Sequence, residues 1–339
     1  MEHFFDDKRI LFIGPKTFGY EREITARLQA LGAHVVYHDD RPSDKPTIKA
    51  AIRLFPALVR RQVRTYFERI LANADNNYDF VFIIKLECMP LDILRALRAK
   101  LSQARFIYYS WDSVRNNPNF RGAASSFDAL YTFDSEDAKH DPQLKLRPLF
   151  FLNEYRQLSP LPLKYDLCFV GTVHSDRYTL LCKIRNIAQR TGKSMNFYMF
   201  VPHKAIYRLR RIVSPAFWRS AQSEFAFAPL AKKEVHRLIA ESRAVLDFQH
   251  PGQTGLTMRT IEMIGARKKL VTTNALVRSY DFFRSENILV IDRERPELDP
   301  AFFDTPYQEL PTELYEKYSL DGWLREIFSI STETPRIDE

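Results

Sequence analysis

Residues Arg9–Asp39 read RILFIGPKTFGYEREITARLQALGAHVVYHD. Arg9–Ile13 is a short, mostly apolar run, as expected of a strand buried on both faces. Gly14 and Pro15 end it. From Tyr20 to Leu31 the apolar residues Ile24, Leu28 and Leu31 fall on one helical face, and Gly32 suits the C-cap. Ala33–Asp39, AHVVYHD, is a second strand. A strand, a helix and a second strand in this order predict a parallel sheet with a right-handed crossover.

The alternation continues. Ile48–Ala72 reads as one or two basic amphipathic helices, broken or kinked at Pro56. Tyr78–Lys85 (YDFVFIIK) is a strand, Pro90–Leu101 a helix, and RFIYYSW from Arg105 another strand. DALYTF from Asp128 is a short strand, and Arg147–Phe151 a further apolar run. The prolines of Ser159–Leu163, SPLPL, mark a linker. The pattern then restarts. Strands are expected at Tyr165–Val170, Met195–Val201, Ala244–Gln249, Lys268–Thr273 and Asn287–Asp292, and helices at Arg177–Arg190, Lys232–Ser242, Thr257–Gly265 and Glu313–Phe328. Two α/β domains of similar size follow, 1–158 and 164–339, with the terminal helix able to pack back on the first, which fits a chain of 339 residues.

Composition narrows the partners. The hydrophobic fraction of 45% can build a core in each half, and the net charge of +8 favours partners that carry phosphate. Cys88, Cys168 and Cys182 are too few and too scattered for a disulfide framework or a CxxC zinc site. Free thiols suit the reducing cytosol. No run approaches the roughly 20 apolar residues of a membrane span, and the N-terminus lacks signal-peptide character. A cytoplasmic protein is expected, at most peripheral on the inner face of the membrane.

The segment richest in chemistry is Asp247–Asn274, DFQHPGQTGLTMRTIEMIGARKKLVTTN. A strand runs into a polar, glycine-containing loop that opens a helix, and main-chain N–H groups at a helix start attract anions. Arg259 near that start can grip a diphosphate by two parallel hydrogen bonds. Glu262, three residues on, can accept from a ribose. The alternative is a plain ion pair between the two on a helix face. His250 and Gln253 share the loop, and Thr272, Thr273 and Asn274 close the next strand. Ligands of such sheets sit at the carboxyl ends of the strands.

In the first half, Trp111 and Asp112 end a strand. Asp112 is the candidate general base for deprotonating a hydroxyl, against a turn or capping role. Asp134, Glu136 and Asp137 suit helix capping, and Asp40 and Glu87 are weaker candidates for the base. The Gly14–Tyr20 loop matches neither GxGxxG nor a P-loop. Two basic segments, Arg53–Arg69 and His203–Ser220, mix arginine with apolar residues. Each can lie on an anionic membrane or form a solvated helix face. No RNA- or DNA-binding motif is present, so nucleic acid is not an expected partner.

GLTMRTIEMIGARKKLVTTN with SYDFF and ENILVID resembles the C-terminal half of glycosyltransferases from bacterial capsule, exopolysaccharide and lipopolysaccharide clusters. It also resembles the CgeB-like family. GPKTFGYEREITARLQALGAHVVYHDDRP, YYSWDS, FDALYTFDSEDA and DLCFVGTVHSDR resemble other stretches of the same group, so the likeness runs roughly from Lys8 to Asp292. It implies a GT-B fold, two Rossmann-like domains facing a cleft, and transfer of a sugar from a nucleotide-sugar donor to a glycan or lipid-linked acceptor. It implies a donor site of Gly171 and Thr172, in the turn after the first strand of the second domain, with Arg177, Gln253, Thr254, Gly255, Leu256, Arg259, Glu262 and Thr273. Glu262 would hold the ribose. Asp112 and His250 are the catalytic candidates, and Gly14, Phe18, Tyr20 and Trp111 the acceptor side. No metal or other cofactor is expected, because no DxD pair follows an apolar strand, and arginine and helix dipoles can stabilise a leaving diphosphate. One departure from the pattern is Thr254, which stands where many retaining GT-B enzymes carry a second glutamate. It leaves the stereochemistry open and sustains an alternative: a non-catalytic GT-B-like scaffold that binds glycan, partner protein or membrane.

Overall fold

The computed structural model describes residues 4–117 and 119–329. The part of the expected second domain beyond residue 329 lies outside them. The chain divides into two compact units: Met1–Pro148 together with the stretch from Asp321 onward, and Leu149–Leu320. The Ser159–Leu163 segment, read as a linker, falls within the second unit.

The first unit contains strands β1 (Arg9–Gly14), β2 (His34–Asp39), β3 (Phe80–Ile84), β4 (Arg105–Ser110), β5 (Ala129–Thr132) and β6 (Lys145–Leu146). They form one sheet in the order β2-β1-β3-β4-β5-β6, and every pairing is parallel. Its helices are α1 (Tyr20–Ala30), α2 (Pro46–Leu54), α3 (Pro56–Asn73), α4 (Leu91–Lys100), α5 (Phe120–Ala123) and α6 (Ser135–His140). Pro56 separates α2 from α3, because proline cannot supply the N–H that would continue the helix. The apolar run Arg147–Phe151 forms no strand; Phe151 makes only an isolated parallel bridge with Ser319. The sheet is covered on one side by apolar residues of α3 and α4, such as Phe67 and Leu94.

The second unit contains α7 (Asn153–Arg156), β7 (Tyr165–Thr172), α8 (Arg177–Arg190), β8 (Met195–Phe200), α9 (Lys204–Val213), β9 (Phe225–Ala226), α10 (Lys232–Ala240) and β10 (Ser242–Asp247). Then come α11 (Met258–Gly265), β11 (Lys269–Thr272), β12 (Ile288–Val290), α12 (Pro300–Asp304) and α13 (Thr312–Lys317). The sheet order is β12-β11-β10-β7-β8-β9, again all parallel. Strand order reverses between β7 and β10, and that is the topological switch point where such sheets take ligands.

The expected single helix Glu313–Phe328 is two, α13 and α14 (Leu320–Phe328). Nearly all of α14 belongs to the first unit. Trp323 is fully buried, 5.9 Å from the Phe82 ring and 4.9 Å from that of Tyr109. Phe328 packs edge-on against Phe5, Phe80 and Phe82. Burying each such aromatic contributes about 1.5–3 kcal/mol. Arg27 grips both oxygens of Asp321 at 2.5 and 2.6 Å, and the fully buried Arg147 meets Glu326 at 2.8 Å.

Candidate functional site

The switch point of the second sheet is closed by one arginine. Arg177, the first residue of α8, donates to the carbonyl of Thr172 at 3.2 Å and to that of Phe248. It thereby joins the carboxyl end of β7 to the residue after β10. Burial pushes its guanidinium down, and Asp247 opposes that shift. Gly171 and Thr172 were expected in the turn beyond the strand. They are the last two residues of β7 itself, paired with Met199 and Phe200 of β8. The turn is Val173–Asp176, with Ser175 on left-handed backbone.

Asp247 ends β10 and is buried. It accepts from Thr257 Oγ1 at 2.5 Å and Thr260 Oγ1 at 2.8 Å. Thr257 is the N-cap of α11, taking the N–H of Thr260. The carboxylate therefore fixes the start of α11 over the strand end, with the helix N–H groups and their positive dipole beside it. Asn274, after β11, holds the carbonyls of Thr254 and Gly255 at 3.0 and 3.5 Å. In that loop Thr254 is exposed, Gln253 half-buried and Gly255 buried. Leu256 buries its side chain in the core, so only its main chain can serve a ligand.

Sequence reasoning passed over Arg293, which follows β12. Its fork takes both carboxylate oxygens of Asp176 at 2.6 and 2.9 Å. It also donates to Thr273 Oγ1 at 3.1 Å and to the Gln249 carbonyl at 2.9 Å. Thr273 in turn donates to Gln249 Oε1 at 2.7 Å. One cation thus ties the ends of three strands. The only signal in the chain was its place two residues after ENILVI, at another carboxyl end.

His250 lies in the exposed part of the loop, with Nδ1 accepting from the Gly252 N–H at 3.2 Å. Its ring sits 5.9 Å from that of His174. Burial first, then the neighbouring Arg177, His250 and Arg210, push His174 down to about 4.

Arg259 and Glu262 come together one turn into α11. Their 2.9 Å ion pair is the i,i+3 contact that the spacing allowed, and both side chains are largely buried. Tyr155 of α7 is hydrogen-bonded to Glu262, and burial raises its phenol well above the usual range. The ring of His236 lies 5.0 Å away. α7 is held close because Gly265 has no side chain: a Cβ there would meet Phe151 Cγ at 2.5 Å.

In the first unit the remaining candidates gather at the carboxyl edge of its sheet. The carbonyl of Gly14 accepts from Tyr37 OH at 2.9 Å. Tyr20 and Trp111 meet edge to face at 5.6 Å. Phe18 is 97% exposed on left-handed backbone, a conformation that non-glycine residues rarely hold without a local reason. Asp112 turns one oxygen to the Ser113 N–H and Asn116 Nδ2, both at 3.0 Å, and the other lies 3.8 Å from Lys85 Nζ. Lys85 also approaches Glu87, which Arg41 grips at 2.6 Å. Asp134 caps α6, the expected role, whereas Asp137 lies within α6 and holds the N–H of Val114, and Glu136 pairs with Lys139. Among the described residues no group of three or more His, Cys, Asp or Glu is arranged to hold a metal ion.

No protein-family model and no curated protein matches this chain. Solved structures do match it. The lipopolysaccharide outer core galactosyltransferase WaaB, in its apo form, superposes with a TM-score of 0.55 at 14% identity, over 95% of this chain and 99% of that one. Anabaena Alr3699/HepE in complex with UDP-glucose gives 0.63 at 10% identity, covering 95% and 98%. A glycosyltransferase from Rickettsia africae ESF-5 gives 0.58 at 12%, covering 98% and 100%. The fold is GT-B. Identity this low carries the fold and no more. In the GT-B frame, Arg177, Arg293 and the start of α11 occupy the switch point of the second Rossmann-like unit.

Proposed function

We propose that this chain is a glycosyltransferase that takes a sugar from a nucleotide-sugar donor and passes it to a glycan or lipid-linked acceptor of a bacterial surface polysaccharide. The observation that carries the reading is the switch point itself. Arg177 and Arg293 lie there beside the N-terminus of α11, an arrangement suited to a diphosphate. The solved neighbours include glycosyltransferases, and another, Alr3699/HepE, is in complex with UDP-glucose, which makes UDP-sugars the first donors to test. The resemblance of GLTMRTIEMIGARKKLVTTN to glycosyltransferases from capsule, exopolysaccharide and lipopolysaccharide clusters supports the finer placement in polysaccharide assembly.

In this reading the anomeric C–O bond to the diphosphate breaks and the acceptor hydroxyl oxygen bonds to that carbon. Asp112 takes the hydroxyl proton. The arginines and the α11 dipole take the charge growing on the leaving diphosphate, with no metal required. Glu262 receives the ribose hydroxyls while Arg259 and Tyr155 fix its carboxylate. Thr254 makes the main chain of its loop, rather than a glutamate, the group facing the donor sugar. A thermal-shift and calorimetric screen with UDP-, GDP-, dTDP- and CMP-sugars tests this. One nucleotide should bind, with or without EDTA, and Glu262→Ala should lose that binding. A folded protein that binds none of them refutes the donor site and leaves the scaffold alternative.

A further inference from the structure

α9 presents one face to its own unit and the opposite face to solvent. Tyr207 is the anchor: it is buried, 5.1 Å from the Phe225 ring, and donates to the Ser220 carbonyl at 2.9 Å. Arg210 turns inward as well, donating to the carbonyl of Val173 over the ring of Phe217. The outward strip is Ile206, Leu209, Ile212 and Val213, spaced at three and four residues. Three of them are more than half exposed, at 58% for Leu209, 76% for Ile212 and 66% for Val213. Trp218, just beyond, is 57% exposed. Lys204, Arg208, Arg211 and Arg219 are exposed around this strip, and no acidic residue occurs between Pro202 and Ser223.

We propose that α9 and Trp218 dock the second unit on an anionic lipid bilayer, with the apolar strip and the indole entering the headgroup boundary. An apolar strip opposite the anchored face, flanked only by cations, is the pattern of an interfacial helix. Two competing partners fit less well. Nucleic acid takes the cations but has no use for the strip. A second copy of the chain, paired face to face about a two-fold axis, sets like charges against each other. The α2–α3 corner also exposes Leu54, Phe55 and Leu58, but part of its charge is taken up in ion pairs, Lys49 with Asp44 and Arg64 with Glu68 and Asp92. The docking face is joined to the turn after β7 through Arg210 and the Val173 carbonyl. The docking itself does not depend on the donor reading.

The test uses the full chain with vesicles of phosphatidylglycerol and phosphatidylcholine, against vesicles of phosphatidylcholine alone. Co-sedimentation is expected with the anionic vesicles only, weakening as salt rises. Trp218 fluorescence should shift to the blue, and Trp218→Phe should abolish the shift, since Trp323 is buried and the half-buried Trp111 belongs to the first unit. Leu209→Glu with Ile212→Glu, both at exposed positions, should remove binding while leaving the thermal transition in place. Arg208→Ala with Arg211→Ala should weaken it about fivefold for each basic residue removed. The proposal fails if the wild-type chain ignores anionic vesicles at low salt, or if the double glutamate variant binds them unchanged. It also fails if the chain retains DNA or RNA but no vesicles, or if the glutamate pair changes only the oligomeric state.

Discussion

Arg293 and Asp176 form a two-pronged ion pair, 2.6 and 2.9 Å long, across 117 residues of chain. It locks the turn after β7 to the end of β11 through Thr273. Removing the guanidinium should therefore loosen the candidate phosphate pocket as a whole. Arg293→Ala is expected to weaken donor binding about tenfold, the scale of one lost charge-assisted hydrogen bond. Arg293→Lys should not restore it, because an ammonium cannot reproduce the fork. Calorimetry with the nucleotide that binds the wild-type protein decides the point, and equal affinities would reject the role.

Gly265→Ala should act through packing alone. The added methyl meets the Phe151 ring at 2.5–2.6 Å and its Cβ at 2.8 Å, so turning the ring gives no relief and α11 must shift away from the segment that leads into α7. Overpacking of this kind costs about 1–3 kcal/mol. Denaturant melts should show that loss. Nucleotide affinity should fall with it, because Glu262 and Tyr155 sit on the two helices that would part.

Asp112→Asn should abolish sugar transfer and leave nucleotide binding untouched. The isosteric amide keeps an acceptor for the Ser113 N–H, so the local turn survives. If transfer continues at the wild-type rate, the base lies elsewhere, and Glu87 is the next candidate to replace.

His174 gives a pH signature. Its folded ring titrates near 4 against an ordinary value of 6.5. Above about pH 6.5 both states hold a neutral ring and nothing changes. Between 6.5 and 4 the unfolded chain takes up a proton that the folded chain refuses, so stability falls as the pH is lowered. Below 4 the effect is complete. The ring is half-buried, and solvent screening limits the loss to about 1 kcal/mol. His174→Gln should flatten this segment of the melting-temperature profile relative to wild type.

The central strands β1, β3, β4, β5 and β11 were legible because they are buried on both faces and read as apolar runs, whereas the two-residue strands β6 and β9 are too short to leave such a run. Periodicity also located α8, α10 and α11. It could not separate α13 from α14, since Tyr315, Tyr318, Leu320 and Trp323 continue an apolar pattern through the break, and only the backbone turns there. Nor could it separate Gly171 and Thr172 from a turn, because a strand that ends in Gly-Thr looks finished at the valine before it. The Arg259–Glu262 pairing was visible as spacing, whereas its closure by Tyr155 depends on a helix more than a hundred residues away. Arg293 was invisible for the same reason: an arginine after a strand is common, and its meaning comes from the loops it bridges. Even so, Asp247–Thr260 stood out as a strand end running through a polar loop into a helix, and that is how it is built; the Thr257 cap and its tie to Asp247 are added by the structure.

The Phe151–Ser319 bridge has a consequence for how this protein can be taken apart. The Phe151 N–H reaches the Tyr318 carbonyl at 2.9 Å, and the Leu320 N–H reaches the Phe151 carbonyl at 3.1 Å. The second unit therefore begins and ends at one spot, as an insertion does. Leu149–Leu320 can be cut out as an unbroken gene fragment whose new termini are already neighbours. The first unit has no such fragment. Cloned to Pro148 alone, it would lack Trp323 and Phe328 and leave the rings of Phe5, Phe80 and Phe82 uncovered. A fusion of Pro148 to Asp321 through a short glycine-serine bridge is the piece of it to express.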